Sequence, residues 1–233
     1  MTNQEIEILY KDEDVIAVNK PPGIVVFSEN KNEITVAKLL SDNFSEIKGL
    51  GGERNGAVHR LDKDTSGVLL FARNNHALSF LQREILEQKA KKRYITLVFK
   101  RVKEDSGEIR TFITRSPKDR RKQKAYKGGS GKREAVTFFH TLKRFADFSL
   151  LEIWPKTGRK HQIRCHLAYI GHPVAGESLY RFKDQQDPAG LERQFLHASL
   201  MEIQTPKGKK RFSAELPEEF ESIIKNLKNN YVG

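Results

Sequence analysis

Two polar stretches hold the residues whose types and spacing could do chemistry. The first runs from Val58 to Gly67 and carries Arg60, Asp62, Lys63 and Asp64 just ahead of an apolar run. The second runs from Thr157 to His166 and combines a glycine turn at Gly158 with Arg159, Arg164, His161 and His166. Polar groups delivered at the end of a core strand are a common way of building a site. By residue type alone the two stretches describe an anion-handling site with an available carboxylate, or else two solvated charged loops. They do not name a reaction.

Three other constellations are weaker. Gly128 to Lys132 resembles a phosphate loop, but Tyr126 stands where the pattern needs its first glycine and Arg133 replaces the hydroxyl residue. His161, Cys165 and His166 could offer soft metal ligands, yet no second cysteine or nearby carboxylate completes a set, so no metal site is expected. Ser66 before Gly67 lacks the context of a nucleophile elbow.

The elements that must position these residues are short. Residues 6–27 read as strand, turn, strand: Ile6, Ile8 and Tyr10 alternate with charged residues, and Asp12, Glu13 and Asp14 make a turn. Val15 to Val18 follow as an apolar run, and Pro21, Pro22 and Gly23 form a corner before Ile24 to Phe27. Thr35 caps a helix carrying Val36, Leu39 and Leu40. The glycine-rich segment 45–56 is a loop, and Gly67 to Ala72 a buried strand. Asn74 caps a helix with Leu78, Leu81, Ile85 and Leu86 expected on one face. Strands are expected at 94–98, 136–140 and 148–153, and a helix at 161–169. A final helix begins at Pro217, with Phe220, Ile223, Ile224 and Leu227 on one face. Residues 103–135 read as the least core-like part. Within 118–133 there are eight basic residues against one acid, which predicts an exposed, mobile arm or hairpin. Hairpin-spaced strands with scattered helices favour an α+β fold.

The 233 residues carry 42 Lys and Arg against 30 Asp and Glu, a net charge of +12. With a sequence pI near 9.7 and mean hydropathy of −0.62, this balance suits a polyanion such as nucleic acid. A single cysteine, Cys165, excludes an intrachain disulfide. No apolar run reaches the roughly 18 residues of a membrane span, and no secretory signal is visible, so a cytoplasmic protein without a membrane partner is expected.

The segment His59-Arg60-Leu61-Asp62-Lys63-Asp64-Thr65-Ser66-Gly67 resembles the signature of the RluA-type pseudouridine synthases, with the catalytic aspartate at Asp62. Further stretches agree in family order. Val18 to Gly23 resembles the opening strand and turn, and Lys92-Arg93-Tyr94 the second motif. Thr157-Gly158-Arg159, His161 to Arg164 and Gly171-His172-Pro173 resemble the third, and Leu196-His197-Ala198 a late element. Two positions depart from the pattern. Glu177 stands in place of an aspartate, and Lys160 in place of a threonine or serine; neither is expected to touch the residues that do chemistry.

The resemblance implies a mixed, mainly antiparallel central β-sheet flanked by helices and loops, with a catalytic cleft across the sheet. Residues 1–233 are then one catalytic domain acting as a monomer, with no N-terminal S4 RNA-binding domain. It implies isomerisation of uridine in ribosomal or transfer RNA to pseudouridine with no cofactor. Asp62 acts at C1′, whether by attack or by removing the 2′ proton. Arg164 keeps that carboxylate ionised, Tyr94 stacks on the flipped uracil, Leu196 lines its other side, and Arg60 enters the RNA stack. Lys118, Arg120, Arg121, Lys122 and Lys124 of the basic arm are expected to grip phosphates. A methyltransferase would need a nucleotide-cofactor loop after an early strand, and none is present.

Overall fold

A computed structural model describes residues 6–30, 32–129 and 133–229. Among them the chain forms ten strands and four α-helices in two compact units, Met1–Lys92 with Ala198–Glu215, and Arg93–His197 with Leu216–Gly233.

In the first unit, β1 (Glu7–Lys11) and β2 (Val15–Lys20) form an antiparallel hairpin. The Asp12 carboxylate closes it by accepting the amides of Asp14 and Val15 at 2.9 and 2.8 Å. β2 pairs antiparallel with β3 (Ser66–Ala72), Lys20 opposite Gly67. β3 is buried at every position and neighbours β9 (Leu196–Thr205), which pairs antiparallel with β10 (Gly208–Ser213). Gly67 has φ of +110°, and a Cβ there would lie 2.2 Å from the Ala198 carbonyl oxygen. Only glycine lets β9 come this close to the residue that ends the Asp62 segment.

Both expected caps form. Thr35 Oγ1 accepts the Lys38 amide at 3.1 Å and starts α1 (Val36–Asn43). Asn74 Oδ1 accepts the Ala77 amide at 2.8 Å and starts α2 (Asn75–Leu86). Leu78 and Leu81 of α2 pack with Val15, Ala17, Val68 and Leu70. Leu86 is 81% exposed, because it follows Ile85 and is turned about 100° away from that face. Ile24 to Phe27 do not extend as a strand. Their carbonyls instead receive the first amides of α1, Val36 to Val25 at 3.0 Å and Ala37 to Val26 at 2.9 Å.

In the second unit, β4 (Lys91–Phe99, counted here from Arg93), β5 (Ser106–Arg115), β6 (Gln123–Tyr126), β7 (Arg133–Arg144) and β8 (Phe148–Pro155) lie in the order β4-β8-β7-β5-β6, antiparallel throughout. β5 corrects the reading of residues 103–135 as marginal to the core. Ile109, Thr111 and Ile113 are buried on one face, while Arg110 pairs with Glu108 at 2.6 Å and Glu134 at 2.8 Å on the other. The alternation was obscured by the charges of the outer face. α3 (Gln162–Tyr169) and α4 (Glu218–Asn229) complete the unit. α4 attaches through Phe220, whose ring stacks on Phe195 at 3.7 Å between centroids. Among the described residues no helix is long and apolar enough to cross a membrane.

Candidate active site

The segment from Gly56 to Val58 runs beside β3, held by Val58 N to Leu70 O at 3.0 Å and Ala72 N to Gly56 O at 2.7 Å. His59 then leaves the ladder, and its Nε2 accepts the Leu70 amide at 3.2 Å in place of a carbonyl. Burial, and then the charge of Lys92, push this imidazole down to about 3, so it is neutral and structural. Lys92 itself is pushed down to about 8 by burial.

Asp62 opens a tight turn that closes with Thr65 N to Asp62 O at 3.1 Å. Asp62 is half-buried, Lys63 and Asp64 are exposed, and Thr65 and Ser66 are buried as β3 begins. The turn is built around Lys20. This side chain has no solvent exposure, and its Nζ donates to the Pro21 carbonyl at 2.7 Å and the Lys63 carbonyl at 2.8 Å. A buried ammonium must have such partners, so the end of β2 and the peptide after Asp62 are fixed together. Sequence reasoning met Lys20 only as part of the opening motif. Its signal was a lysine following the apolar run 15–18 and preceding two prolines. Arg60 is exposed, with its guanidinium carbon 5.9 Å from the Phe27 ring centroid.

The second unit holds Tyr94, Arg164, Leu196 and the basic residues. Tyr94 lies on β4 opposite Ile153 and is half-buried. It packs against a cluster that contains Leu196, Ile163, Leu167 and Val174, so the structure brings Tyr94 and Leu196 to one apolar group. Leu196, 3% exposed, is a core residue of that group.

Arg164 sits in the first turn of α3 and is buried. Its Nε and one terminal nitrogen donate to the two carboxylate oxygens of Glu177 at 2.7 and 2.6 Å. The expectation that Glu177 does not touch the residues expected to do chemistry is corrected here, because it contacts Arg164, one of those residues, and sets the plane of its guanidinium. A position known only as a departure from a family pattern carries no sign of its partner. Glu177 is held in turn, accepting the Leu179 amide at 2.8 Å. The Gly176 amide donates to Asp187 Oδ1 at 2.7 Å, and a Cβ on Gly176 would lie 2.1 Å from the Arg193 carbonyl oxygen.

A second residue missed by sequence reasoning, Tyr180, joins Arg164 to the hairpin β5–β6. The Arg164 guanidinium lies over its ring at 5.5 Å, and its hydroxyl accepts the Gln123 amide at 2.7 Å and lies 3.0 Å from His161 Nδ1. Burial raises the Tyr180 hydroxyl pKa, so it stays protonated.

The remaining residues of the 157–166 stretch fix α3. Gln162 Oε1 accepts from the Thr157 hydroxyl at 2.7 Å and the Arg159 amide at 3.0 Å, while Nε2 donates to the Val136 carbonyl at 3.0 Å and Thr137 Oγ1 at 2.9 Å. His166 lies between Thr111 and Thr137 with both ring nitrogens engaged at 2.9 Å, and burial pushes it down to about 4. Burial pushes the Cys165 thiol up to about 11, which removes it as a nucleophile. His161 takes a left-handed conformation, φ +53°, as the chain turns into α3.

The basic segment is the tip of the β5–β6 hairpin with the start of β6, where Lys124 lies, rather than a free arm. Lys118, Arg120 and Lys124 are exposed and Lys122 is half-buried. Arg121 differs. It pairs through two nitrogens with Asp119, at 3.0 and 2.9 Å, and these bonds hold that carboxyl down at about 2. Its charge is compensated within the turn. Of the Gly128–Lys132 stretch, residues 130–132 lie outside the described residues.

The family model described as RNA pseudouridylate synthase matches residues 14–169 of this chain. The chain belongs to that family. RNA pseudouridine synthases are isomerases, and this synthase is of the RluA type. It is 37% identical over 230 residues to an uncharacterized RNA pseudouridine synthase, YlyB, of Bacillus subtilis, covering 97% of this chain and 74% of that one. It is 36% identical over 233 residues to a ribosomal large subunit pseudouridine synthase D of Borreliella burgdorferi, covering 97% and 70%. In fold it is similar to human RNA pseudouridylate synthase domain containing 4, with a TM-score of 0.77 at 21% identity over 95% of this chain and 93% of that one.

Replacing Glu177 by Gln should strip the synthase of a buried counter-charge while keeping the side chain's shape. Breaking such a pair costs about 3–5 kcal/mol. Urea unfolding at neutral pH should show a loss of that order, and a loss below about 1 kcal/mol would contradict the pairing.

Proposed function

We propose that this synthase isomerises specific uridines in large-subunit ribosomal RNA or transfer RNA in the cytoplasm. Residues 1–233 work as a single catalytic domain, as a monomer and without a cofactor. The C1′–N1 bond breaks, the uracil rotates, C5 bonds to C1′, and the C5 proton is released while N1 gains one. Asp62 is the carboxylate that meets the positive character at C1′ as the base leaves, much as in glycoside cleavage. Arg164 is a supporting residue of the site, Tyr94 stacks on the extruded uracil with Leu196 on the other side, and Arg60 takes the vacated place in the stack. Lys118, Arg120, Lys122 and Lys124 contact phosphates, with Arg121 organising their turn.

The observation that carries this reading is the half-buried Asp62 on a turn held by Lys20 at the start of a core strand, in a chain that belongs to this family. The relative in Borreliella burgdorferi whose name specifies the large ribosomal subunit supports the choice of RNA. The guanidinium plane fixed by Glu177 supports the role of Arg164.

Asp62→Asn should abolish tritium release from RNA labelled at uridine C5 while leaving affinity, measured by filter binding, within about two-fold of wild type. Turnover near the wild-type rate would refute Asp62 as the catalyst. Neutralising Lys118, Arg120, Lys122 and Lys124 together should weaken binding and flatten its dependence on salt. Each lost phosphate contact lowers the slope by about 0.7–0.9. Arg121→Gln should flatten it less, and an unchanged slope in the fourfold variant would remove the hairpin tip from the RNA interface.

A further inference from the structure

The corner at Pro21, Pro22 and Gly23 sends residues 24–27 past the start of α1, where Ile24 and Val26 are buried and Phe27 is left half-buried. Two arginines from different segments converge on its ring. The Arg54 guanidinium carbon is 5.1 Å from the ring centroid and that of Arg60 is 5.9 Å.

The loop that delivers Arg54 has a fixed course. Gly56 N donates to Leu50 O and Ala72 N to Gly56 O, both at 2.7 Å, and Gly49 N donates to Asn55 Oδ1 at 2.8 Å. A Cβ on Gly56 would meet the Ala72 carbonyl oxygen at 2.4 Å, so only glycine lets the loop lie this close to β3. Arg60 is held from the other direction, one residue after the imidazole that accepts the Leu70 amide.

Both arginines are exposed, and among the described residues neither forms an ion pair with a carboxylate. Two guanidinium groups on one ring repel each other, and the aromatic face only partly offsets that repulsion. Some other arginines do have carboxylate partners, as Arg73 has Glu46 and Arg110 has Glu134. An uncompensated pair on a fixed aromatic support suits an anion that arrives from outside.

We propose that Phe27 is a positioning residue for Arg60, and that Arg54 is a second RNA ligand that takes a phosphate beside it. The proposal rests on the reading of Arg60 as an RNA contact and adds the device that aims it. In free solution an arginine spreads over many rotamers, and ordering it on binding opposes affinity. With its guanidinium resting on Phe27, Arg60 is already confined two residues before Asp62, and Arg54 adds charge without needing a carboxylate to hold it.

The test uses the full chain and RNA labelled with tritium at uridine C5, prepared from cells lacking the gene. Phe27→Leu removes the aromatic face and keeps apolar bulk. It should lower kcat/KM roughly two- to ten-fold with the melting midpoint unchanged, and Phe27→Trp should restore it. In an Arg60→Ala background, Phe27→Leu should have an effect of less than about two-fold, because the ring then has nothing to position. Arg54→Gln should reduce the salt slope of binding by about one contact. A wild-type rate for Phe27→Leu overturns the proposal, as does an equal loss in both backgrounds or an unchanged slope for Arg54→Gln. If Arg60→Ala itself leaves kcat/KM unaltered, the premise about Arg60 fails together with the proposal, while Asp62 stands. A wild-type protein that releases no tritium overturns the assignment of the reaction as well.

Discussion

A lysine ammonium shut off from solvent at the end of β2 is the interaction on which the Asp62 segment depends. Burying an unpaired cation is prohibitive, so the chain must bring carbonyl groups to it. Those of Pro21 and Lys63 come from opposite sides, one from the corner that ends β2 and one from the turn begun by Asp62. The same contact thus stops a strand, starts the path toward Phe27, and sets the peptide after the carboxylate. The close approach of β9 to Gly67 adds a second constraint at the end of that turn, since only glycine fits there.

The second unit solves a parallel problem with a buried cation and a buried anion. Arg164 and Glu177 satisfy one another, and the Leu179 amide and the loop at Gly176 keep the carboxylate in place. Around them the polar side chains of Thr157, Gln162 and His166 lock the start of α3 to β5 and β7. Tyr180 connects this assembly to the basic hairpin, because its ring supports Arg164 and its hydroxyl accepts the backbone of Gln123. A polar network that is fully bonded fixes orientation more sharply than apolar packing does. It holds the Arg164 guanidinium in one plane.

Much of this was legible in the residues, and what was not has physical reasons. The caps at Thr35 and Asn74 and the apolar face of α4 follow local rules and appear where expected. The Asp62 segment stood out by motif. Long-range partnerships left no local trace: Glu177 was only a departure from a pattern, Tyr180 an ordinary aromatic, and Lys20 one lysine among many. β5 was hidden because its outward residues are charged, and the β9–β10 hairpin was not recognised beyond Leu196 to Ala198. Residues 24–27 have the composition of a strand, yet their carbonyls serve the start of α1 instead. There a tertiary contact overrode the local preference.

The net charge of +12 is likewise divided by structure rather than spread evenly. Some cations, such as Lys20, Arg121 and Arg164, are committed to internal partners, while Arg54, Arg60 and the exposed lysines of the hairpin face outward. In the proposed function this chain makes pseudouridine in RNA through Asp62. The direct measurement is a site-by-site map of pseudouridine in ribosomal and transfer RNA from cells without the gene, after incubation with purified wild-type or Asp62→Asn protein. One or more new pseudouridines are expected with the wild type and none with the variant. Identical maps for the two proteins would contradict it.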